Sequence, residues 1–152
     1  MVDNNELIIA IEFKSQAGPS FGNNFNNQTE EAIGSALDIW TAYREGVFGS
    51  QKAPWLGYFM LLEDCRKSNE PIRVRSPHFP VLHEFADASY KERYEIFCSK
   101  LLLERQYSAA CLITTGITAG SNSFEFPKEE LSFRRFVMSM LGAVLSHFGR
   151  EI

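Results

Sequence analysis

Short, nearly unbroken apolar runs alternate along this chain with longer stretches in which apolar residues recur every three or four positions, the pattern of strands joined by helices. Residues 6–14, ELIIAIEFK, read as the first strand. Leu7, Ile9, Ile11 and Phe13 lie on one face; Ile8, Ala10, Glu12 and Lys14 lie on the other. Both faces are apolar over most of its length, so this strand is expected in the centre of a sheet, covered on both sides. The polar loop of residues 15–27 follows. A helix is expected over about 28–46, opened by an Asn27/Glu30 capping box and packing through Ile33, Ala36, Leu37, Trp40, Tyr43 and Val47. LGYFMLLE at 56–63 predicts a second buried strand. Pro71, Pro77 and Pro80 make 64–88 irregular. Ser89 and Glu92 predict another capping box and a helix to about 105, its inner stripe Tyr90, Tyr94, Phe97, Cys98 and Leu101. AACLITT at 109–115 predicts a third strand. Pro127 and Gly149 bracket a last helix packing through Leu131, Val137, Leu141, Val144, Leu145 and Phe148.

Helical crossovers join parallel strands in a right-handed sense, so the predicted fold is an α/β sheet flanked by helices, in a single domain over 1–152. A chain that opens in a central strand needs strands beside it, and none precede it. The 152 residues are 45% hydrophobic and 22% charged, which excludes a disordered tail, a collagen-like fibre and a coiled coil. Fifteen basic against nineteen acidic residues give −4, which argues against a whole-surface grip on nucleic acid and leaves room for a local basic groove. No apolar run reaches the roughly 18 residues of a membrane span, and the N-terminus lacks a signal-peptide pattern. Cys65, Cys98 and Cys111 are odd in number and widely spaced, so reduced thiols in a cytoplasmic protein are expected.

Glu12-Phe13-Lys14 is the first candidate for chemistry. Residues two apart on a strand share a face, so a carboxylate and an ammonium sit together on an otherwise apolar element. That arrangement is costly unless the charges pair with each other or hold a ligand. An ordinary salt bridge at a strand end is one reading. The other is a carboxylate that holds a hard cation such as Mg²⁺, beside a lysine that acts on a water. The loop that follows carries four Asn and two Phe within seven residues, 21–27. Asn can bond adenine edges bidentately and Phe can wedge at bases; a turn-rich loop with core-anchored Phe is the plainer account. Arg66, Lys67, Arg73 and Arg75 form a basic cluster suited to solvent or to phosphate. Thr114 to Ser123 reads as a polar loop lacking a P-loop's Gly-Lys-Ser/Thr. Gly18-x-Ser20-x-Gly22 imitates a nucleophile elbow, but loop residues are expected after Ser20 where a helix is needed. Cys65, His78 and His83 imitate half a zinc finger, with Leu62 where a cysteine belongs. His147, near a helix C-terminus, reads as structural.

Taken together, AIEFKSQAGPSFGNNFNNQTEEAIGSALDIWTAYREG resembles the Xho-type type II restriction endonucleases, as do WLGYFMLLED, SPHFPVLHEF and ASYKERYEIFCSKLLLERQYSAACLI. The resemblance implies a restriction-endonuclease-like mixed sheet of the PD-(D/E)xK class and Mg²⁺-dependent hydrolysis of double-stranded DNA at a short palindrome, CTCGAG in the family's best-known members. It implies Glu12 as metal ligand, the Phe13 carbonyl as a further ligand, and Lys14 as water-orienting base or electrostatic stabiliser. Ser15, Gln16, Asn23, Asn24, Asn26, Asn27, Arg73 and Arg75 are the expected DNA contacts. A two-fold site implies a homodimer, and the family leads one to expect a cognate DNA methyltransferase. The motif also needs an Asp on a neighbouring upstream strand. Asp3 is the only upstream Asp, and Asp3-Asn4-Asn5 looks like a hairpin turn. Chain geometry leaves Asp3 about 10 Å from Glu12. The expectation is therefore a member lacking its first strands and inactive on its own. The alternative is a catalytically silent remnant that binds DNA or dimerises. Glu30, Glu31, Glu63 and Asp64 are the acids that could substitute for the missing Asp.

Overall fold

A computed structural model describes residues 1–118 and 121–149. Val2–Asp3 (β1) and Glu6–Leu7 (β2) form a two-residue hairpin with Val2 opposite Leu7 and Asp3 opposite Glu6. Asn4 and Asn5 take φ of 47° and 67°, the left-handed pair that such a turn demands. The expected first strand is thus two elements, because Ile9–Gln16 (β3) enters a different sheet. That sheet is completed by Trp55–Glu63 (β4), Ala109–Thr118 (β5) and Ser121–Glu125 (β6). The order is β3-β4-β5-β6, the first three parallel and the last antiparallel. The fold is therefore a mixed α/β sheet flanked by helices. β3 is its edge strand among the described residues, not its centre. Thr114–Gly116, expected in a loop, continue β5, which returns as β6; residues 119–120 of that expected loop lie outside the described residues.

The first helix, Phe21–Arg44 (α1), begins seven residues earlier than the sequence suggests. Residues 21–27 are its first two turns, so Asn27 and Glu30 cap nothing. Asn is an indifferent helix former; burial of the two Phe decides. Phe21, 1% exposed, stacks on Tyr90 at 5.5 Å, and Phe25 meets Tyr94 edge-on at 5.0 Å, so residues four apart are pinned to one neighbour. The inner face is Phe21, Ala32 and Ala36, while Ile33, Leu37 and Val47 are exposed.

A single turn, Arg66–Asn69 (α2), interrupts the irregular segment. The helix Tyr90–Leu103 (α3) carries the predicted capping box, Glu92 N donating to Ser89 Oγ (3.3 Å) and Ser89 N to Glu92 Oε2 (2.7 Å). Its buried residues Tyr94, Phe97, Cys98 and Leu101 are four of the five in the predicted stripe, and Tyr90 is half-buried. The last helix, Phe133–Phe148 (α4), starts after Ser132, six residues beyond Pro127. It packs through Phe136 with Val137, Met140, Ala143 and Val144, and leaves the expected Leu141, Leu145 and Phe148 exposed.

α1 and α3 cover the face carrying Leu56, Tyr58, Met60 and Leu62 of β4, and α4 covers the face carrying Trp55, with Phe136 against its ring at 5.3 Å. Helices cover both faces of β4 over most of its length, leaving Leu61 exposed near its end, which is why its sequence is an almost unbroken apolar run.

Candidate active site

β3 alternates as a strand must, so Glu12, Lys14 and Gln16 turn toward α1 while Phe13 turns toward Phe59, 5.4 Å away. Glu12 and Lys14 therefore share a face. Lys14 Nζ stands 3.1 Å from Glu12 Oε1 and 2.5 Å from Glu31 Oε2 on α1, one ammonium between two carboxylates. Glu12 is 16% exposed and Glu31 58%. The other Glu12 oxygen, Oε2, lies 2.6 Å from the hydroxyl of Tyr107, which is also 2.9 Å from the carbonyl of Ala32. The hydrogen bond to Glu31 holds the Lys14 ammonium above its ordinary range, against the opposing effect of burial. Burial, aided by Glu12, pushes the Tyr107 hydroxyl well above the normal tyrosine range, so it stays a donor.

The backbone of β3 adds an acceptor row. The Ile8 carbonyl faces β4, accepting from Trp55 N at 2.9 Å. The Ile9 and Ser15 carbonyls face the open edge, where the Met1 ammonium and Gln28 Nε2 donate to them at 2.6 and 3.0 Å. Strand alternation sets the Phe13 carbonyl in that same outward row.

A groove of about 320 Å³ lies beside Lys14, lined by Phe13, Ser15, Asn24, Asn27, Gln28 and Glu31. The helical start of α1 explains the grouping, since 24, 27, 28 and 31 fall on one helix face. Of the expected DNA contacts, the structure thus brings Ser15, Asn24 and Asn27 to Lys14. Asn23 and Asn26 are exposed on α1 outside this lining. Gln16 shares the face of Glu12 and Lys14 but is 1% exposed, its Nε2 donating to the Ala17 and Gly18 carbonyls, and that burial closes it to a ligand. Arg73 and Arg75 are exposed in the irregular segment and are not part of the groove.

The acids distribute unevenly. Asp3 is held opposite Glu6 with its Oδ2 3.1 Å from His147 Nε2, and Glu6 lies six residues before Glu12. Glu31 reaches the site through Lys14. Glu63 accepts from Gly18 N at 2.7 Å, and Asp64 is engaged by Asn69 and Lys91. Glu12 pairs in register with Tyr58, so Glu63 is five residues, about 16 Å, further along the sheet. No three His, Cys, Asp or Glu among the described residues are grouped to hold a metal, and Cys65, His78 and His83 are not brought together as such a group. Ser20 directly precedes α1, so the loop expected after it is absent. The elbow still fails, because Ser20 has φ −96° rather than a strained backbone. Glu31 and Tyr107 complete the Glu12–Lys14 contacts. Glu31 was legible only as one of four acids, and Tyr107, 95 residues away, gave no signal in the sequence.

The family model described as restriction endonuclease XhoI matches residues 1–126, a span that contains every one of these groups. The chain belongs to the XhoI restriction endonuclease family. It is 50% identical over 136 residues to the type II restriction enzyme BstVI of Geobacillus stearothermophilus, covering 89% of this chain and 61% of that protein. It is 55% identical over 102 residues to the type II restriction enzyme XhoI of Xanthomonas vasicola, 67% of this chain and 41% of that enzyme. Identity to AbrI of Azospirillum brasilense is 58% over 79 residues, 52% of this chain and 36% of AbrI. The chain thus spans about three fifths or less of the curated relatives' lengths. No solved structure matches it. No helix among the described residues is long and apolar enough to cross a membrane.

Proposed function

We propose that this XhoI-family chain is the catalytic portion of a Mg²⁺-dependent type II restriction endonuclease, with residues 1–152 forming one domain. The observation that carries the reading is the Glu12–Lys14 pair on one strand face, beside a groove lined by Ser15, Asn24 and Asn27. Carboxylate and carbonyl oxygens are the donor type a hard cation takes, and Mg²⁺ is commonly held by one or two carboxylates with substrate phosphate and water. Glu12 Oε1 and the outward Phe13 carbonyl are the donors this chain would contribute. Bound there, Mg²⁺ would lower the pKa of a water and stabilise charge on the phosphoryl oxygens. Lys14, whose ammonium is held further above its ordinary range by Glu31, acts by charge and orientation rather than as a base. It aligns the water whose oxygen bonds to phosphorus as the bond to O3′ breaks; the water's proton passes to solvent, O3′ takes a proton from solvent, and a 5′-phosphate remains. Asn23, Asn24, Asn26 and Asn27 on the first turns of α1, with Ser15, meet the DNA, and Arg73 and Arg75 add phosphate contacts. A palindrome such as CTCGAG is read by two copies, protected in the host by a cognate methyltransferase, in the cytoplasm.

The second reading is a silent member that binds DNA or dimerises without cutting. It is favoured by the lack of a third acid at Glu12 among the described residues. One experiment separates the two. The chain is incubated with Mg²⁺ and DNA carrying CTCGAG, and its binding to the same duplex is measured in Ca²⁺. Discrete fragments with 5′-phosphates establish the nuclease. Site-specific binding without cleavage establishes the silent reading for these 152 residues, and no preference for the site over a scrambled duplex refutes the nuclease reading and the DNA-binding form of the silent one.

A further inference from the structure

We propose that Tyr107 is a positioning residue for Glu12, holding Oε2 of the carboxylate so that Oε1 alone is offered to Lys14 or to a cation. The inference rests on the nuclease reading of Glu12 and extends it to a residue outside the strand motif. A tyrosine hydroxyl carries one proton. It lies 2.6 Å from Glu12 Oε2 and 2.9 Å from the Ala32 carbonyl. A bond to a carboxylate oxygen is stronger than one to a neutral carbonyl because the acceptor is charged.

The hydroxyl is itself fixed. The Tyr107 ring is buried and meets Tyr58 edge-on at 5.5 Å, and Tyr58 is the β4 residue paired in register with Glu12. Tyr107 N donates to Leu101 O near the end of α3, and Trp40 of α1 donates to the adjacent Gln106 carbonyl at 2.8 Å. Helices on two sides therefore anchor a single oxygen over β3. The consequence is geometric. A carboxylate torsion has a broad, roughly two-fold energy profile, so a free Glu offers either oxygen or both. With Oε2 held by Tyr107, Glu12 has its plane set, and Oε1, 3.1 Å from Lys14 Nζ, is the oxygen left to share with a cation. A cation with strict octahedral demands is served by such a monodentate ligand better than by a rotating one.

The test is Tyr107→Phe in the 152-residue chain, with Mn²⁺ as the probe, followed by electron paramagnetic resonance without DNA. The ¹³C resonance of the Glu12 side-chain carboxyl at neutral pH, assigned with Glu12→Gln, is the second readout. Phe keeps the ring and its packing and removes only the hydroxyl. The expected result is a loss of Mn²⁺ affinity of about 10- to 100-fold, the range for deleting an outer partner of a metal ligand, together with a moved carboxyl resonance. Unchanged affinity in Tyr107→Phe, while Glu12→Gln loses it, overturns the Tyr107 role and leaves the nuclease reading standing. Unchanged affinity in Glu12→Gln removes Glu12 as a ligand and overturns both. If Tyr107→Phe does not fold, Glu12→Asp keeps the charge and withdraws it from the hydroxyl by one methylene. Undiminished Mn²⁺ binding by Glu12→Asp, whose carboxylate no longer reaches the hydroxyl, refutes the proposal.

Discussion

Lys14→Met is the perturbation that weighs the site most directly. The substitution keeps the length and apolar stem of the side chain and deletes the ammonium. Lys14 stands between Glu12 and Glu31 at 3.1 and 2.5 Å, with its own side chain 21% exposed. A solvent-exposed pair would contribute about 0–1 kcal/mol. Here Glu12 is mostly buried and keeps only Tyr107 when the lysine goes, so the cost approaches that of stranding a charged group, about 1–3 kcal/mol. For a chain of this size each kcal/mol shifts Tm by roughly 2–4 °C, which makes the expected fall about 2–12 °C. The lysine also fixes the pH dependence. Its folded-state pKa is raised above the ordinary 10.5, so its stabilisation is complete below 10.5 and is lost as pH rises through the folded value. Urea denaturation of wild type and Lys14→Met at pH 7, 9 and 11 reads this as an equal gap at the first two values and a smaller one at the third. Glu31→Gln, which touches only the exposed partner, is the control and should cost under about 1 kcal/mol. A Lys14→Met protein within 0.5 kcal/mol of wild type at pH 7, by the approximate scale for neutral surface changes, refutes the reasoning.

Burial pushes Cys111 up to about 12 and Cys98 higher still, so native protein at pH 8 should react with a thiol reagent at no more than one cysteine, Cys65; rapid reaction of two or three would show an open core. A Cβ at Gly57 would sit 2.5 Å from the Trp55 ring and 2.7 Å from Phe136, so Gly57→Ala should destabilise by about 1–3 kcal/mol in a denaturant titration. Asp64 is held below the usual carboxylate range by Asn69 first and Lys91 second. Its stabilisation is therefore present above pH 3.8 and lost as pH falls through the folded value. Asp64→Asn should cost about 1 kcal/mol at pH 7, a gap that closes in the most acidic thermal melts; a gap independent of pH would contradict the ion pair.

The sequence by itself determined the two inner strands, because a strand covered by helices on both faces is apolar at nearly every position, whereas β6 read as part of a polar loop. β4 and β5 could be read directly for that reason. It determined the capping of α3, where Ser89 and Glu92 satisfy each other within four residues, and the turn at Asn4-Asn5, where both residues tolerate positive φ. It also determined that Glu12 and Lys14 share a face, since strand period alone requires it. Position within the sheet was not legible: β3 has a central strand's composition, yet lies at an edge among the described residues, because composition reports burial of faces and not occupancy of the hydrogen-bonding edge. The start of α1 is not legible locally because Asn favours turns, and only the docking of Phe21 and Phe25 on α3 makes seven polar-rich residues helical. The groove is hidden for the same reason, since its lining depends on helical spacing of Asn24, Asn27, Gln28 and Glu31. Tyr107 was beyond any local pattern. Its hydroxyl meets Glu12 only after α3 returns the chain to the sheet, a contact across 95 residues that tertiary packing alone creates.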